Sequence, residues 1–233
     1  MLGTDDASYD LTGEIRGDVF SGRYESAEGN GIVQLARVRT APAPLAAPPG
    51  ATVLFGEKWP EFWREPATWP KEGDGVVVAS GPDLVSRTTM RGFRLGLEFL
   101  LPLLPEARGD DRARSGVAVG EALEVRIVDS FGAEPTVASC GALVGVAAPR
   151  VDAALPPLEW QTLDIILTPL DSPPPGRTAP GRAEVTVLLN GEMLHERRLV
   201  ENHVPGPLRL RSTGSAVRFR RGWLVAEATD MSR

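Results

Sequence analysis

A carboxylate and a guanidinium lie two residues apart in the segment 123–128, which reads LEVRIV. The apolar residues of this segment alternate with Glu124 and Arg126, as in a β-strand with one buried face. Both charged side chains would then point the same way. Glu124 could act as a general base or accept a hydroxyl proton, and Arg126 could hold its charge or bind a substrate oxygen. The alternative is an ordinary ion pair on a solvated sheet.

Two further carboxylates are candidates for acid–base chemistry. Glu98 alternates with the apolar residues of the run from Phe93 to Phe99, so it also points from the polar face of a strand. Glycosidases place two carboxylates on facing strands, which makes Glu98 and Glu124 a candidate catalytic pair. Asp129 ends the strand of Glu124 and is either a ligand-facing loop residue or the cap of a turn.

Arginines are frequent near these strands. If several guanidinium groups converge on one face, the pocket would favour a carboxylate, an enolate or a phosphate group over a neutral sugar. An even spread of arginines over the surface is the alternative, and it is compatible with the acidic net charge. The candidates for substrate binding are Arg114, Arg126 and Arg211, and the wider set includes Arg218, Arg220 and Arg221.

Tryptophans provide a second kind of candidate binding residue. Four of them could form a stacking platform, because aromatic faces complement the apolar faces of pyranose rings. They are Trp59, Trp63, Trp69 and Trp160, and Trp63 and Trp160 are the two candidates for substrate binding. Packing in the core is the alternative role for all four side chains.

The sequence lacks the common motifs for binding a transition metal or a cofactor. His195 and His203 are the only histidines, and no metal-ligand spacing links them, so we predict no zinc site and assign no metal ligands. A calcium site formed by loop carboxylates such as Asp110 and Asp111 is the alternative. Cys140 is the single cysteine, which excludes an intramolecular disulfide. No serine nucleophile elbow, phosphate loop or dinucleotide fingerprint occurs, and we therefore predict no cofactor.

The composition limits the class of partner. The chain of 233 residues is 42% hydrophobic and 24% charged, which is typical of a folded globular protein. Its net charge of −6 disfavours nucleic acid as a partner, because nucleic-acid binders need a cationic surface. No run approaches the ~20 apolar residues of a membrane span, and we expect no membrane partner. The start lacks the features of a signal peptide, which fits the cytoplasm or export with the signal removed.

Short apolar runs separated by glycine and proline predict an all-β protein. The run from Phe93 to Phe99 alternates cleanly, and so does the run from Ala183 to Leu189. Asn190-Gly191 follows the second run and is the dipeptide favoured in type I′ hairpins. Towards the C-terminus, strict alternation would place Phe219 and Trp223 on one face of the last strand.

The predicted domain organisation has three parts. Residues 1–40 form an N-terminal β extension, residues 41–50 a stiff proline-rich linker, and residues 51–233 a β-sandwich domain.

A series of short motifs follows from Leu54 onward. The motifs are Leu54-Phe55-Gly56 with Trp63, Gly92 to Phe99, Ser115 to Val117, Leu123 to Ser130, Cys140 to Ala142, Glu159 to Thr162, Leu189 to Gly191, and Gly206 to Trp223. Their order resembles a bacterial family, the 3-keto-disaccharide hydrolase domain. This resemblance implies a concanavalin A-like jelly-roll β-sandwich and an enzyme that cleaves glycosides oxidised at C3, by hydrolysis or elimination. It also makes Gln161, beside Trp160, a candidate for substrate binding.

Several polar positions depart from the family pattern. Arg114 replaces the asparagine of Asn-Ser-Gly, Arg126 replaces the glutamine of Glu-Val-Gln, and the Asp and His of Leu-Gln-Asp-His-Gly are absent from residues 210–214. Loss of an acid or base typically removes ~10²–10⁴-fold of rate. The leading hypothesis is an altered hydrolase or lyase of the 3-keto-glycoside type with a small-molecule or sugar ligand. The alternatives are a non-catalytic carbohydrate-binding module and a proton-transfer, elimination or cyclisation enzyme of specialised metabolism.

Overall fold

The computed structural model describes residues 9–16, 19–36, 43–57, 59–64, 68–73, 75–171 and 180–226. The chain divides into two compact units, Met1–Thr40 and Ala41–Arg233. Nearly all regular structure in the described residues is β-strand, which confirms the predicted all-β class. None of the helices in these residues is long and apolar enough to cross a membrane.

The described residues of the first unit form one antiparallel sheet of three strands. The strands β1 (Tyr9–Arg16), β2 (Val19–Ser26) and β3 (Gly29–Ala36) follow each other in space as they do in the chain. Phe20 lies across Gly13 and Gly22, where a methyl group at either position would come within 2.7 Å of its ring. Glycine at these two positions therefore lets the aromatic ring lie flat on the sheet.

The described residues of the second unit form twelve strands, one short α-helix and one 3₁₀ turn. They are β4 (Thr52–Val53), α1 (Trp59–Phe62), β5 (Lys71–Glu72), β6 (Val76–Val78), β7 (Leu84–Met90), β8 (Phe93–Leu100), the 3₁₀ turn Gly109–Asp111, β9 (Arg114–Val119), β10 (Leu123–Val128), β11 (Trp160–Pro169), β12 (Gly181–Leu189), β13 (Glu192–His203), β14 (Gly206–Leu210) and β15 (Arg218–Ala226).

Two sheets share one hydrophobic core in this unit. The smaller sheet has the strand order β10-β9-β14-β7, and the larger has the order β13-β12-β11-β8-β15-β6-β5, with β4 paired to β15. Leu95 and Phe99 of β8 and Val125 and Ile127 of β10 are fully buried. Apolar residues of one parity thus face inward from each sheet, as the alternation predicted, and residues of the other parity point out of the sandwich.

The hairpin between β12 and β13 has the predicted type of turn. Asn190 and Gly191 both have positive φ, at 54° and 86°, as a type I′ turn requires. The side chain of Asn190 also accepts a hydrogen bond from the Thr162 amide (2.9 Å) and donates one to the Ala153 carbonyl (2.7 Å). The turn therefore fixes a neighbouring strand and a loop as well as its own hairpin.

Strand β15 departs from the strict alternation expected from the sequence. Phe219 pairs with Phe99 on the core side, but Trp223 pairs with Gly96 on the outer side, because the register shifts between Arg220 and Trp223. Arg221 lies in this bulge with φ at 47°. The prediction that Phe219 and Trp223 share a face is wrong for this reason, since a bulge reverses the parity of the residues after it.

The outer edge of β10 is covered by a loop. The amide of Val144 donates to the carbonyl of Glu124 (2.9 Å), and the amide of Arg126 donates to the carbonyl of Ala142 (2.9 Å). This backbone pairing fixes the strand that carries Glu124 and Arg126 on both sides, because β9 pairs with its other edge.

Candidate functional site

The outward face of the smaller sheet carries four of the polar residues that the sequence singled out, Arg114, Glu124, Arg126 and Arg211. Glu124 and Arg126 alternate with the buried side chains of β10 and so point away from the core. Arg126 is opposite Gly116 on β9, and the Arg211 amide donates to the Gly116 carbonyl (2.9 Å). We call this surface the arginine face, and its polar residues are Asp83, Arg114, Glu124, Arg126, Arg209 and Arg211.

Arg211 joins two carboxylates on the arginine face. Its Nη1 lies 3.3 Å from Glu124 Oε2, and its Nε lies 3.2 Å from Asp83 Oδ2. The other oxygen of Asp83 accepts a hydrogen bond from the Ser212 amide (2.8 Å). The side chains of Glu124 and Asp83 are 30% and 29% exposed, so both carboxylates remain accessible while Arg211 holds them.

Gly116 lets the carboxylate of Glu124 lie against the sheet. A methyl group at position 116 would come 2.9 Å from Glu124 Oε1 and 3.3 Å from the Val125 carbonyl oxygen. Both Gly116 and its outward-facing neighbour Ala118 are buried. The floor of the arginine face is therefore recessed beneath longer side chains, and Glu124 lies over that floor beside Arg211.

The guanidinium of Arg126 is incompletely paired. Its Nε is buried and has no hydrogen-bond partner among the residues that the structure describes. The same holds for the hydroxyl of Ser212 and for Nε of Arg211, but Arg211 Nε still has a carboxylate as its ion-pair partner. Arg114 and Arg209 also point outward and form no ion pair within the described residues. Positive charge thus exceeds negative charge on this face, and buried donors there lack acceptors.

Glu98 lies on the other side of the sandwich. Its carboxylate is only 4% exposed and bonds to Arg220 Nε (2.6 Å) and Arg221 Nη1 (3.1 Å). The guanidinium of Arg220 stacks over the ring of Trp160 at 3.9 Å. The structure thus brings Glu98 and Trp160 together, but it does not bring Glu98 and Glu124 to one hollow, because their side chains leave opposite faces of the shared core.

A second ion pair lies next to this cluster on the larger sheet. Arg94 donates from Nε and Nη2 to the two oxygens of Asp164, at 3.2 Å and 2.7 Å. Hydrogen bonding to Asp164 raises the pKa of Arg94. The guanidinium also lies 5.6 Å from the ring of Trp223, which covers Gly96. The charged groups of this surface are paired with each other, which is typical of a structural network.

Trp63 and Gln161 have interior positions. Trp63 is fully buried and donates from Nε1 to the Leu54 carbonyl (3.3 Å). Gln161 is also fully buried, and its amide accepts from and donates to the backbone of Leu155, at 2.9 Å and 3.2 Å. The predicted substrate contacts of Trp63 and Gln161 do not fit this burial, and both side chains instead fix loops to the sandwich.

Asp129 lies beyond the end of β10. Its amide donates to the Ala113 carbonyl (3.0 Å), and its carboxylate lies 3.7 Å from Arg112 Nη1. No bond among the described residues links it to Glu124. Arg114, the first residue of β9, accepts a hydrogen bond at its carbonyl from the Thr213 hydroxyl (2.5 Å).

Asp83 and Arg209 are members of the arginine face that the sequence analysis missed. A signal for Asp83 was present, because Gly81-Pro82 marks a turn directly before a strand, where a carboxylate is displayed at the sheet edge. Nothing in the sequence near Asp83 indicates that Arg211, 128 positions later, would reach it.

The described residues contain no group of three or more potential metal ligands. Both histidines are buried, and each places Nε2 2.9 Å from a carbonyl oxygen, of Gly141 for His195 and of Arg91 for His203. Burial lowers the pKa of His195. Burial also raises the pKa of the Cys140 thiol to about 12, which keeps it from acting as a thiolate nucleophile at neutral pH.

Comparisons with solved structures confirm the predicted jelly-roll sandwich. A putative glycosyl hydrolase from Parabacteroides distasonis ATCC 8503 is 25% identical, with a TM-score of 0.66 over 78% of this chain and 85% of its own. Two further putative glycosyl hydrolases of that organism are 17% and 19% identical and cover 76% and 77% of this chain and 99% and 94% of theirs, each with a TM-score of 0.55. The likeness to these two shows the shared fold.

No curated protein matches this chain. The model of the 3-keto-alpha-glucoside-1,2-lyase-like domain matches residues 50–225, which span both described sheets of the sandwich up to the penultimate residue of β15. The resemblance inferred from the short motifs is thereby confirmed, and the chain belongs to the 3-keto-alpha-glucoside-1,2-lyase-like domain family.

Proposed function

We propose that this chain is a lyase or hydrolase acting on a glycoside oxidised at C3, or on a related small molecule, and that the arginine face is its substrate site. The family and its solved neighbours support a glycoside hydrolase- or lyase-like function. The observation that carries the assignment to this face is the carboxylate of Glu124, which is accessible, lies over Gly116 and is bound by Arg211. It is a base candidate with a cation directly beside it.

The proposed reaction is an elimination across C1 and C2 of the oxidised sugar. The C3 carbonyl acidifies the hydrogen on C2, and Glu124 removes it as a proton. The electron pair forms an enolate whose oxygen on C3 is stabilised by Arg211. When the carbonyl forms again, a C1–C2 double bond forms and the bond from C1 to the glycosidic oxygen breaks. The proton on Glu124 passes to the departing oxygen, and addition of water to the double bond would complete a net hydrolysis.

Asp83 is a positioning residue in this proposal. Its carboxylate forms an ion pair with Arg211 at Nε, on the side of the guanidinium away from the Nη1 that reaches Glu124. A guanidinium held at two points loses little conformational freedom when an enolate oxygen approaches. A preorganised cation of this kind stabilises the developing negative charge more effectively than a mobile one does.

The test is product analysis with methyl 3-keto-α-glucoside and methyl 3-keto-β-glucoside in water enriched in ¹⁸O. We expect release of methanol together with an unsaturated 3-keto sugar, or its hydrated form carrying ¹⁸O at C1, detected by mass spectrometry. Methanol release at the uncatalysed rate with both anomers would contradict the proposal.

The second candidate is non-catalytic carbohydrate binding on the same fold. It is favoured by the same ion pair, because Arg211 already occupies one oxygen of Glu124. Saturable binding of a monosaccharide without turnover of either 3-keto-glucoside would select this alternative.

A further inference from the structure

The guanidinium of Arg126 lies on the substrate face without an internal counter-charge. Arg211 is bound by Glu124 and Asp83, whereas Arg126 forms no ion pair within the described part of the chain. Its Nε is buried without a hydrogen-bond acceptor, and a buried donor of this kind is costly unless a ligand satisfies it. Water can reach the exposed part of the side chain, but the planar fork of an arginine fits a carboxylate or phosphate far better.

Arg114 extends the same unpaired region. It alternates with the buried Ser115 and Val117 on β9, so it points outward on the same strand and the same side as Gly116. Gly116 is directly opposite Arg126 in the register. The two arginines are therefore neighbours across a position without a side chain, beside the Glu124 carboxylate that lies over Gly116.

We infer that the substrate carries an anionic group, a carboxylate or a phosphate, and that Arg126 and Arg114 bind it on the arginine face. This inference rests on the proposed function for the location of the sugar, but it names a property that the elimination does not require. Glu124 and Arg211 serve the reacting carbons, and Arg126 and Arg114 select a sugar acid or sugar phosphate.

Calorimetric titration with unoxidised, unreactive sugars tests the inference separately from catalysis. The probes are methyl β-glucuronide and glucose 6-phosphate, with neutral methyl β-glucoside for comparison. We expect at least one anionic sugar to bind about tenfold or more tightly than the neutral glucoside, as one charge-assisted bidentate contact provides. Comparison of the two anionic probes distinguishes a carboxylate from a phosphate as the recognised group.

Arg126→Gln should make the affinities for the anionic and the neutral sugar about equal. Arg126→Lys should retain part of the difference, because a lysine keeps the charge but loses the planar fork. Arg218→Gln, which removes an arginine paired with Glu72 on the other sheet, is the matched control and should leave the preference unchanged. Because the Arg126 Nε lacks a partner, Arg126→Gln should not lower the urea midpoint of unfolding.

Equal binding of neutral and anionic sugars by the wild type, or no binding of either anionic sugar, would overturn the inference. So would an anion preference that survives both Arg126→Gln and Arg114→Gln. If the wild type cleaves neutral 3-keto-glucosides but shows no anion preference, the proposed function stands and only this inference fails.

Discussion

At the scale of single residues, the arginines on the two faces of the sandwich differ in what they bind. On the larger sheet, Arg220 and Arg221 are both engaged by the buried carboxylate of Glu98. On the smaller sheet, Arg126 has no internal acceptor. Paired charges in this setting contribute to the stability of the fold, whereas an unpaired guanidinium is available to a ligand.

Glu98→Gln is expected to lower the free energy of unfolding by about 1–3 kcal/mol, because two arginines lose the buried charge that holds them. Urea denaturation measures this change. The matched control is Glu184→Gln, which weakens a pair with the 75% exposed Arg197 and should cost less than about 1 kcal/mol. Equal effects of the two substitutions would contradict the structural role of Glu98.

Asp83→Asn should slow turnover about tenfold while changing KM little, because Arg211 keeps its bond to Glu124 but loses its second charged anchor. Steady-state kinetics separate kcat from KM. A rise in KM with unchanged kcat would mean that Asp83 binds substrate and does not position Arg211.

At the scale of secondary-structure elements, the sequence predicted the strands well where alternation was regular. Phe93 to Phe99 and Ala183 to Leu189 have the predicted buried parity, and Asn190-Gly191 forms the predicted turn. The alternation of Glu124 and Arg126 also predicted their shared outward face. These features depend only on local patterns of period two.

The prediction failed where structure depends on pairing between distant strands. The bulge at Arg221 moves Trp223 to the outer face, and no local pattern reveals a register shift. Similarly, alternation shows that Glu98 and Glu124 both point outward, but only the strand order shows that they belong to different sheets. The ion pair of Arg211 with Asp83 could not be predicted for the same reason, since Asp83 directly precedes β7 and Arg211 directly follows β14, and these two strands are paired in one sheet.

Asn190→Ala should destabilise the protein by about 2–4 kcal/mol, because it removes the side-chain bonds to Thr162 and Ala153 and places alanine at positive φ. Asn190→Gly loses the same bonds but adopts positive φ freely, and it should recover about 1 kcal/mol. Chemical denaturation of both variants checks this difference. A glycine variant as stable as the wild type would show that the two bonds contribute nothing.

At the scale of the whole molecule, an acidic protein carries a local cationic surface. The net charge is −6, yet arginines outnumber carboxylates among the polar residues of the arginine face. Such a surface attracts a small anion at short range, while the overall charge disfavours association with polyanions.

The stability of the whole molecule should depend on pH through His195. Its pKa is lowered by burial and further by the charge of Arg198, although the hydrogen bond to Gly141 opposes both. The unfolded chain therefore binds a proton more readily, so the free energy of unfolding should fall as pH drops below about 6.5, the ordinary pKa of histidine. In the His195→Gln variant, the thermal unfolding temperature should change less between pH 6.5 and pH 5 than it does in the wild type. An unchanged slope in this variant would assign the dependence to other groups.

In the proposed reaction, the carboxylate of Glu124 takes the proton from C2 of an oxidised sugar on the arginine face. The most direct measurement is the rate of glycoside cleavage with a 3-keto-glucoside by wild type, Glu124→Gln and the matched control Glu121→Gln, which alters an exposed residue of the turn before β10. We predict that Glu124→Gln loses about 10²–10⁴-fold in kcat and that the control keeps the wild-type rate. Wild-type turnover by the Glu124→Gln protein would contradict the account.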